Sequence, residues 1–323
     1  MSKDERAELL GTVLEGRYKI GRRIGIGGTG VVFEARSRDG GTVAVKTLRP
    51  CFVTHPDLGR RLRREGEVAR RVRHPGIIEV FDEGTLYDGS PYIVMPLMQG
   101  EPLSRLLLRH NDLPVDIVAA LASRVAAILH AAHCCGYVHR DVKPEHVLLD
   151  RSQSGDLIVH LFDFGVCSSL AAPPDERKRE HGKVFGTPSY VSPEQAAGEA
   201  HIDARADLFS LGVLMFEALS GRLPFSGSTV SKLLVRIIRE EAPRVSELTP
   251  SIQPAMDDIV ARLLARDPED RFPSARSLSR SLAPHVGDRK MVERRLASML
   301  HVTSRATDTA PTVRRAAAAA RVA

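Results

Sequence analysis

Short apolar runs broken by polar residues occupy the first hundred positions, and apolar residues at helical spacing occupy most of the remainder. Tyr18-Lys19-Ile20, Val31-Val32-Phe33-Glu34-Ala35 and Thr42-Val43-Ala44-Val45-Lys46 read as strands, separated by the turn-forming stretches Gly25-Ile26-Gly27-Gly28-Thr29-Gly30 and Arg38-Asp39-Gly40-Gly41. A helix is predicted roughly from Asp57 to Val72, stopped by His74-Pro75-Gly76, and two further strands from Ile77 to Phe81 and from Tyr92 to Met95. The expected product is a small antiparallel sheet carrying one main helix.

Beyond Gly100 the pattern turns helical. Val115 to His133 and Asp207 to Leu219 read as long core helices, and the apolar run Leu208 to Phe216, broken by Glu217, predicts a helix buried on all sides. Met256, Ile259, Val260, Leu263 and Leu264 fall at i, i+3, i+4, i+7 and i+8, one apolar face of a helix. A shorter helix, Ala275 to Leu282, ends at Pro284. Residues 1–16 read as a leader. From about Gly287 a tail carries one amphipathic candidate (Val292, Leu296, Met299, Leu300) and then a Thr- and Ala-rich end expected to be disordered. The class is α+β, with no internal repeat.

At 323 residues, 43% hydrophobic and 27% charged, the chain has the composition of a soluble globular protein. No apolar run approaches the roughly 18 residues of a membrane span, and the N-terminus has no segment of signal-peptide type; a cytoplasmic protein is expected. Cys51, Cys134, Cys135 and Cys167 show no paired spacing. A metal site with His130 and His133 is conceivable, but Cys134 and Cys135 read more simply as the end of a core helix running into Gly136. The net charge of +6 is concentrated at Arg60, Arg61, Arg63, Arg64, Arg70, Arg71 and Arg73, and at Arg314, Arg315 and Arg321. Without interleaved aromatics this reads as a solvated or docking face rather than a nucleic-acid surface.

The chemistry lies in an ordered set of motifs. Gly25-x-Gly27-x-x-Gly30-x-Val32 would suit a dinucleotide-binding turn if a helix followed; here a strand follows, which suits a hairpin over phosphates, where a Cβ would keep backbone amides from closing on oxygen. Val43-Ala44-Val45-Lys46 places a lysine on a strand. A carboxylate must hold it, and Glu65 on the next helix is preferred to Glu67, two residues away and facing elsewhere. Either Glu could instead serve only as an exposed ion-pair partner for the nearby arginines, an interaction worth little. His139-Arg140-Asp141-Val142-Lys143-Pro144-Glu145-His146, Asp163-Phe164-Gly165, Gly186-Thr187-Pro188 and Ser192-Pro193-Glu194 complete the set.

In this order and spacing, over residues 17–283, the motifs resemble those of bacterial eukaryotic-like (Hanks-type) serine/threonine protein kinases. The resemblance implies a bilobal fold, with a small-sheet N-lobe at about 17–97, a helical C-lobe at about 100–283, and a basic tail at 284–323. It implies transfer of the ATP γ-phosphate to protein Ser or Thr hydroxyls, with a divalent cation, Mg²⁺ or Mn²⁺. Lys46 would contact the α- and β-phosphates and Glu65 would hold it. Asp141 would orient or deprotonate the hydroxyl, Lys143 would neutralise the γ-phosphate, and Asp163 would bind metal. Ile24, Gly25, Gly27, Gly30, Val32, Ala44, Met95, Pro96, Met98 and Leu148 would surround the nucleotide. Glu194 would pair with Arg271, Asp207 would tie its helix to the loop at 139–146, and Thr187 would contact Asp141 and Lys143.

Two departures stand out. His146 occupies the place of a metal-binding Asn, which implies a weakened enzyme with one well-held metal, a Mn²⁺ preference, or a nucleotide-binding pseudokinase acting as a scaffold. Residues 170–185 contain no Ser, Thr or Tyr, so Asp175, Glu176 or Glu180 would have to supply the negative charge that a phosphothreonine normally presents to Arg140. A small-molecule phosphotransferase is disfavoured by Gly186-Thr187-Pro188 and Ser192-Pro193-Glu194. The sequence leaves dimerisation through the Arg-rich helix open.

Overall fold

Six antiparallel strands build the first lobe in the order β1-β2-β3-β4-β6-β5. They are β1 (Val13–Leu14), β2 (Tyr18–Ile26), β3 (Gly30–Ser37), β4 (Thr42–Leu48), β5 (Asp82–Thr85) and β6 (Pro91–Pro96). The computed structural model describes residues 6–152, 156–169 and 186–300. Alternation decides the faces: Val31, Phe33 and Ala35 of β3 are buried with Ile20, Val45, Tyr92 and Val94, which leaves Val32 on the opposite face beside Lys46, its register partner on β4. Helix α1 (Pro56–Arg71) starts with a proline, whose missing N–H costs nothing in a first turn. It buries Leu62 and Val68 and turns Arg60, Arg63, Arg70 and Arg71 outward, where Arg60, Arg70 and Arg71 pair with Asp57, Glu83 and Glu67.

Two expectations change here. Residues 77–81 do not form a strand; Ile77 makes one isolated parallel bridge to Leu161, and the strand falls at the polar residues of β5. The apolar Ile77 and Val80 are there to be buried, not to alternate. The second concerns residues 1–16, whose described part, from Arg6 on, packs on this sheet. Leu9 belongs to the N-lobe core, β1 pairs with β2, and Arg6 is 1% exposed. Its guanidinium donates to the Leu48 carbonyl (2.9 Å) and to Ser90 Oγ (2.8 Å), and pairs with Asp88.

The second lobe contains α2 (Leu103–Arg109), α3 (Val115–Cys134), α4 (Pro193–Ala196), α5 (Arg205–Ser220), α6 (Val230–Arg239), α7 (Val245–Leu248), α8 (Pro254–Leu263), α9 (Ala275–Leu282) and α10 (Arg289–Met299). Short strands β7 (Glu101–Pro102), β9 (Val147–Arg151) and β10 (Leu157–Leu161) form one sheet, and β8 (Tyr137–Val138) pairs with β11 (Ser168–Ser169). Every residue of α5 from Ala206 to Leu219 is buried, as its apolar run requires. By length and composition α3 could cross a membrane, contrary to the expectation that no segment approaches that size. Here it packs as a core helix, with Ile117, Val118, Leu121, Val125, Ile128 and Leu129 buried among the other helices. The amphipathic candidate of the tail is α10, and Val292, Leu296 and Leu300 join the same core.

Candidate active site

The segment between β8 and β9 holds an irregular backbone, and its order comes from a side chain elsewhere. Asp207, in the first turn of α5 and fully buried, accepts the backbone N–H groups of His139 (2.9 Å) and Arg140 (2.7 Å) and the Nε2 of His133 (2.7 Å). Burial pushes its carboxyl up, but these donors outweigh that and hold it below the ordinary carboxylate range. Arg140 has φ of 66° and Asp163 φ of 67°, left-handed values that non-glycine residues adopt at a cost. The Arg140 carbonyl is fixed by Gln195 Nε2 (2.9 Å), and a Cβ on Gly186 (φ 103°) would lie 2.8 Å from that same carbonyl.

The strained loop presents Asp141 to two partners. Lys143 Nζ donates to Asp141 Oδ2 (2.8 Å) and to Thr187 Oγ1 (2.6 Å), while the Thr187 N–H donates to Asp141 Oδ1 (2.8 Å). Burial raises the Asp141 carboxyl, but His146 and Lys143 more than offset it, so the group stays below its usual range and ionised.

Lys46 reaches across from β4. Its ammonium bonds both oxygens of Glu65 on α1, at 2.9 and 2.7 Å, and lies 3.2 Å from Asp163 Oδ1. Burial would strip its proton, but Asp163 and Glu65 reverse that and hold it well above the ordinary lysine range. Glu65 is pushed up by burial and drawn back by Lys46. Asp163 is held well below the carboxylate range, since Lys46 and His146 overcome its own burial. Glu67 instead bonds Tyr137 and Arg71. Phe164 is buried, its ring 4.4 Å from that of His139, which keeps Asp163 turned toward Lys46.

His146 closes the arrangement. Its Nδ1 donates to the Asp141 carbonyl (2.9 Å), and its Nε2 lies 3.1 Å from Asp163 Oδ2. Among the described residues, Asp141, His146 and Asp163 form the one group of three metal-competent side chains, with ligand atoms within 4.8 Å of one another. Two carboxylates and an imidazole fit a divalent cation; the nitrogen makes the set less suited to Mg²⁺ than three oxygens would be. His130 and Cys134 lie 3.7 Å apart on α3, while His133 is engaged by Asp207.

The remaining predicted positions lie on β2, β3, β4 and β6, in the turn between β2 and β3, in the segment after β6, and on β9. Gly25 pairs with Val32 across the β2–β3 hairpin, and Gly27 N–H donates to the Gly30 carbonyl (2.8 Å). A Cβ on Gly27 would meet little, which leaves open approach to its amide; a Cβ on Gly30 would lie 3.0 Å from the Thr47 carbonyl, so a larger residue there would crowd the neighbouring strand. Ala44 sits opposite Met95 and Val43 opposite Pro96, Ile24 is half-buried on β2, Met98 is half-buried between β6 and β7, and Leu148 is buried on β9. Asp175, Glu176 and Glu180 lie outside the described residues.

The protein kinase domain family matches residues 18–282. The chain belongs to the protein kinase family. It is 35% identical over 82% of its length to serine/threonine-protein kinase PknE of Mycobacterium tuberculosis, of which the match covers 45%. It is 32% identical over 91% of its length to serine/threonine-protein kinase pkn3 of Myxococcus xanthus, covering 54% of that protein. This kinase-family chain thus spans about half the length of the curated relatives it matches. The crystal structure of the PknI kinase domain of M. tuberculosis superposes with a TM-score of 0.66 at 31% identity, covering 85% of this chain and 98% of that one.

The side chains that had escaped sequence reading are Gln195, which fixes Arg140, His133, which had been weighed only as a metal ligand, and Arg64, which donates to the Cys167 carbonyl (3.0 Å). Each contact joins residues more than fifty positions apart, and no local pattern marks it.

Proposed function

We propose that this chain is an ATP-dependent protein-serine/threonine kinase. The observation that carries the reading is the convergence of Lys46, Asp141 and Asp163 from three separate elements. Lys46 and Asp163 are 3.2 Å apart, and His146 bridges Asp163 to the Asp141 loop. Lys46, charged and oriented by Glu65, would bind the α- and β-phosphates. Asp141, ionised and oriented by Lys143 and Thr187, would accept a hydroxyl proton, and Lys143 would meet the γ-phosphate. Val32, Ala44, Met95 and Leu148 would enclose the adenine, with backbone groups of Pro96 and Met98 at its edge and Ile24, Gly25, Gly27 and Gly30 over the ribose and phosphates. A bound divalent cation would neutralise phosphate charge. Asp163 and His146 are the residues that would hold it, and their mixed oxygen and nitrogen donors favour Mn²⁺ over Mg²⁺.

Serine/threonine rather than tyrosine specificity is supported by the Asp141–Lys143–Thr187 triangle and by the similarity to proteins named serine/threonine-protein kinases. The test is incorporation of radiolabelled phosphate into protein Ser and Thr, with Lys46→Met and Asp141→Ala as controls. Incorporation lost in both variants supports the reading. Nucleotide binding without incorporation would establish the scaffold alternative instead.

A further inference from the structure

Helix α10 lies beyond the end of the family match at residue 282, yet its final turn reaches the strand that leaves the inter-lobe connection. Glu101 of β7, 2% exposed, receives two bonds from Arg109 of α2, Nη1 to Oε2 at 2.9 Å and Nη2 to Oε1 at 2.6 Å. The same Nη2 donates to the Met299 carbonyl at 3.1 Å, the last residue of α10. On its other side β7 pairs with β9 through Glu101–Leu149 and Pro102–Leu148, and Leu148 is the floor of the proposed adenine pocket.

Helix α10 is itself firmly seated. Val292, Leu296 and Leu300 are buried in the large-lobe core, Glu293 pairs with Arg124 of α3, Arg295 lies 3.5 Å from Asp116, and Arg151 of β9 donates to the Ala297 carbonyl. The guanidinium grips the Glu101 carboxylate through two nitrogens of a rigid planar fork while one of them also reaches Met299, a fixed geometry that the single rotatable ammonium of a lysine does not reproduce. Arg109 therefore ties the position of β7 to the position of α10.

We propose that Arg109 is a positioning residue, through which docking of α10 sets the placement of β7 and Leu148 and hence the affinity for nucleotide. This rests on the nucleotide-site reading above. Coupling of this kind needs a physical chain of contacts with a measurable energy between its ends, and here it has three links: Met299 to Arg109, Arg109 to Glu101, and β7 to β9.

The test compares the full chain with its Arg109→Met and Arg109→Lys variants, measuring ADP affinity by calorimetry, steady-state phosphoryl transfer, and amide hydrogen exchange over residues 100–103 and 297–300. Arg109→Met is expected to weaken ADP binding by about five-fold or more, the lower range of ordinary allosteric couplings. The kinetic loss falls on KM for ATP rather than on kcat, and exchange quickens at both segments. Arg109→Lys, retaining one bond, lies between. If the unaltered chain binds ADP and both variants bind it equally well, this proposal is overturned alone. If the unaltered chain binds no nucleotide, the site reading falls and the proposal with it. A role confined to stability would lower the unfolding temperature and leave the KM-to-kcat split unmoved, which also counts against it.

Discussion

His146 Nε2 sits 3.1 Å from Asp163 Oδ2, so the imidazole occupies one oxygen of the carboxylate that is proposed to bind metal, while Lys46 faces the other. A cation approaching Asp163 has to compete with that contact or recruit the nitrogen. His146→Asn replaces the ring with a smaller group whose amide oxygen suits Mg²⁺ and whose N–H₂ can still donate to the Asp141 carbonyl. Phosphoryl transfer in Mg²⁺ is expected to rise on the order of ten-fold, equivalent to about 1.4 kcal/mol of barrier, with a smaller gain in Mn²⁺. Equal rates for the two proteins in Mg²⁺ would remove the argument that the histidine impairs the site.

What could be read from the chain was whatever is local. Lys46, Asp141 and Asp163 announce themselves through neighbours a few residues away, and α5, α8 and α9 through apolar spacing that packing then rewarded. The strand expected at 77–81 failed because an apolar run reports burial and not which edge a neighbouring strand offers; the polar β5 took the pairing with β6. The contacts of Arg6 and Gln195 were opaque for one shared reason: their partners lie 42 to 84 residues away for Arg6 and 55 for Gln195. The tie from Asp207 to the loop at 139–146, 67 to 74 residues away, was legible only through the family resemblance, and α10 was legible as an amphipathic stretch but not in the remote residues it packs against. A buried arginine in the first ten residues looks, one residue at a time, like any charged terminus.

Asp207 holds the backbone of the loop that presents Asp141, so its loss should be felt in both stability and catalysis. Asp207→Ala leaves the amides of His139 and Arg140 buried without their acceptor, a cost of about 3 kcal/mol for the two groups. The expected result is a lower chemical denaturation midpoint together with a fall in kcat larger than any change in nucleotide affinity, since Lys46 and Glu65 are untouched. A variant that loses affinity but keeps kcat would contradict the assigned role.

Acidification should weaken the fold in two stages. Burial holds His139 and His160 below the ordinary histidine range, with nearby carboxylates only partly opposing it. A group with a depressed folded value contributes stability that is fully present above its unfolded value, about 6.5 for histidine, and lost as pH falls through the folded one. Asp141 and Asp207 act in the same direction from about pH 4 downward. Unfolding temperatures measured from neutral pH to pH 3 should fall first below about 6.5 and again below about 4. His160→Gln should flatten the first stage, and an unchanged profile in that variant would assign the drop to other groups.

Glu194 and Arg271 form a fully buried pair with two parallel bonds of 2.8 Å, and Arg271 also donates to the carbonyls of Ala265, Arg205 and Arg266. Removing one member strands a charge, so Arg271→Met is expected to cost about 3–5 kcal/mol by urea denaturation. Glu194→Gln combined with Arg271→Met should cost less than the two single changes summed, because the second change relieves the charge left by the first. Additive costs would show that the surrounding carbonyl bonds, not the ion pair, dominate.

Arg6 offers the sharpest test of where this kinase domain begins, because its side chain closes a gap between two strands it does not belong to. It joins the Leu48 carbonyl, at the end of the strand carrying Lys46, to Ser90 and Asp88 in the turn before β6. Thr47 Oγ1 bonds the Pro91 carbonyl beside it at 2.9 Å, so the latch reinforces a pairing already made. Arg6→Ala leaves buried Ser90 and the Leu48 carbonyl short of a donor and is expected to cost about 2–3 kcal/mol, while Arg6→Lys, keeping the charge but not the planar fork, recovers part of that. The loss should appear in the unfolding midpoint of the whole domain. A change of Arg6 that leaves the midpoint within about 0.5 kcal/mol of the parent, the usual range for exposed surface substitutions, would return residues 6–16 to the standing of a dispensable leader.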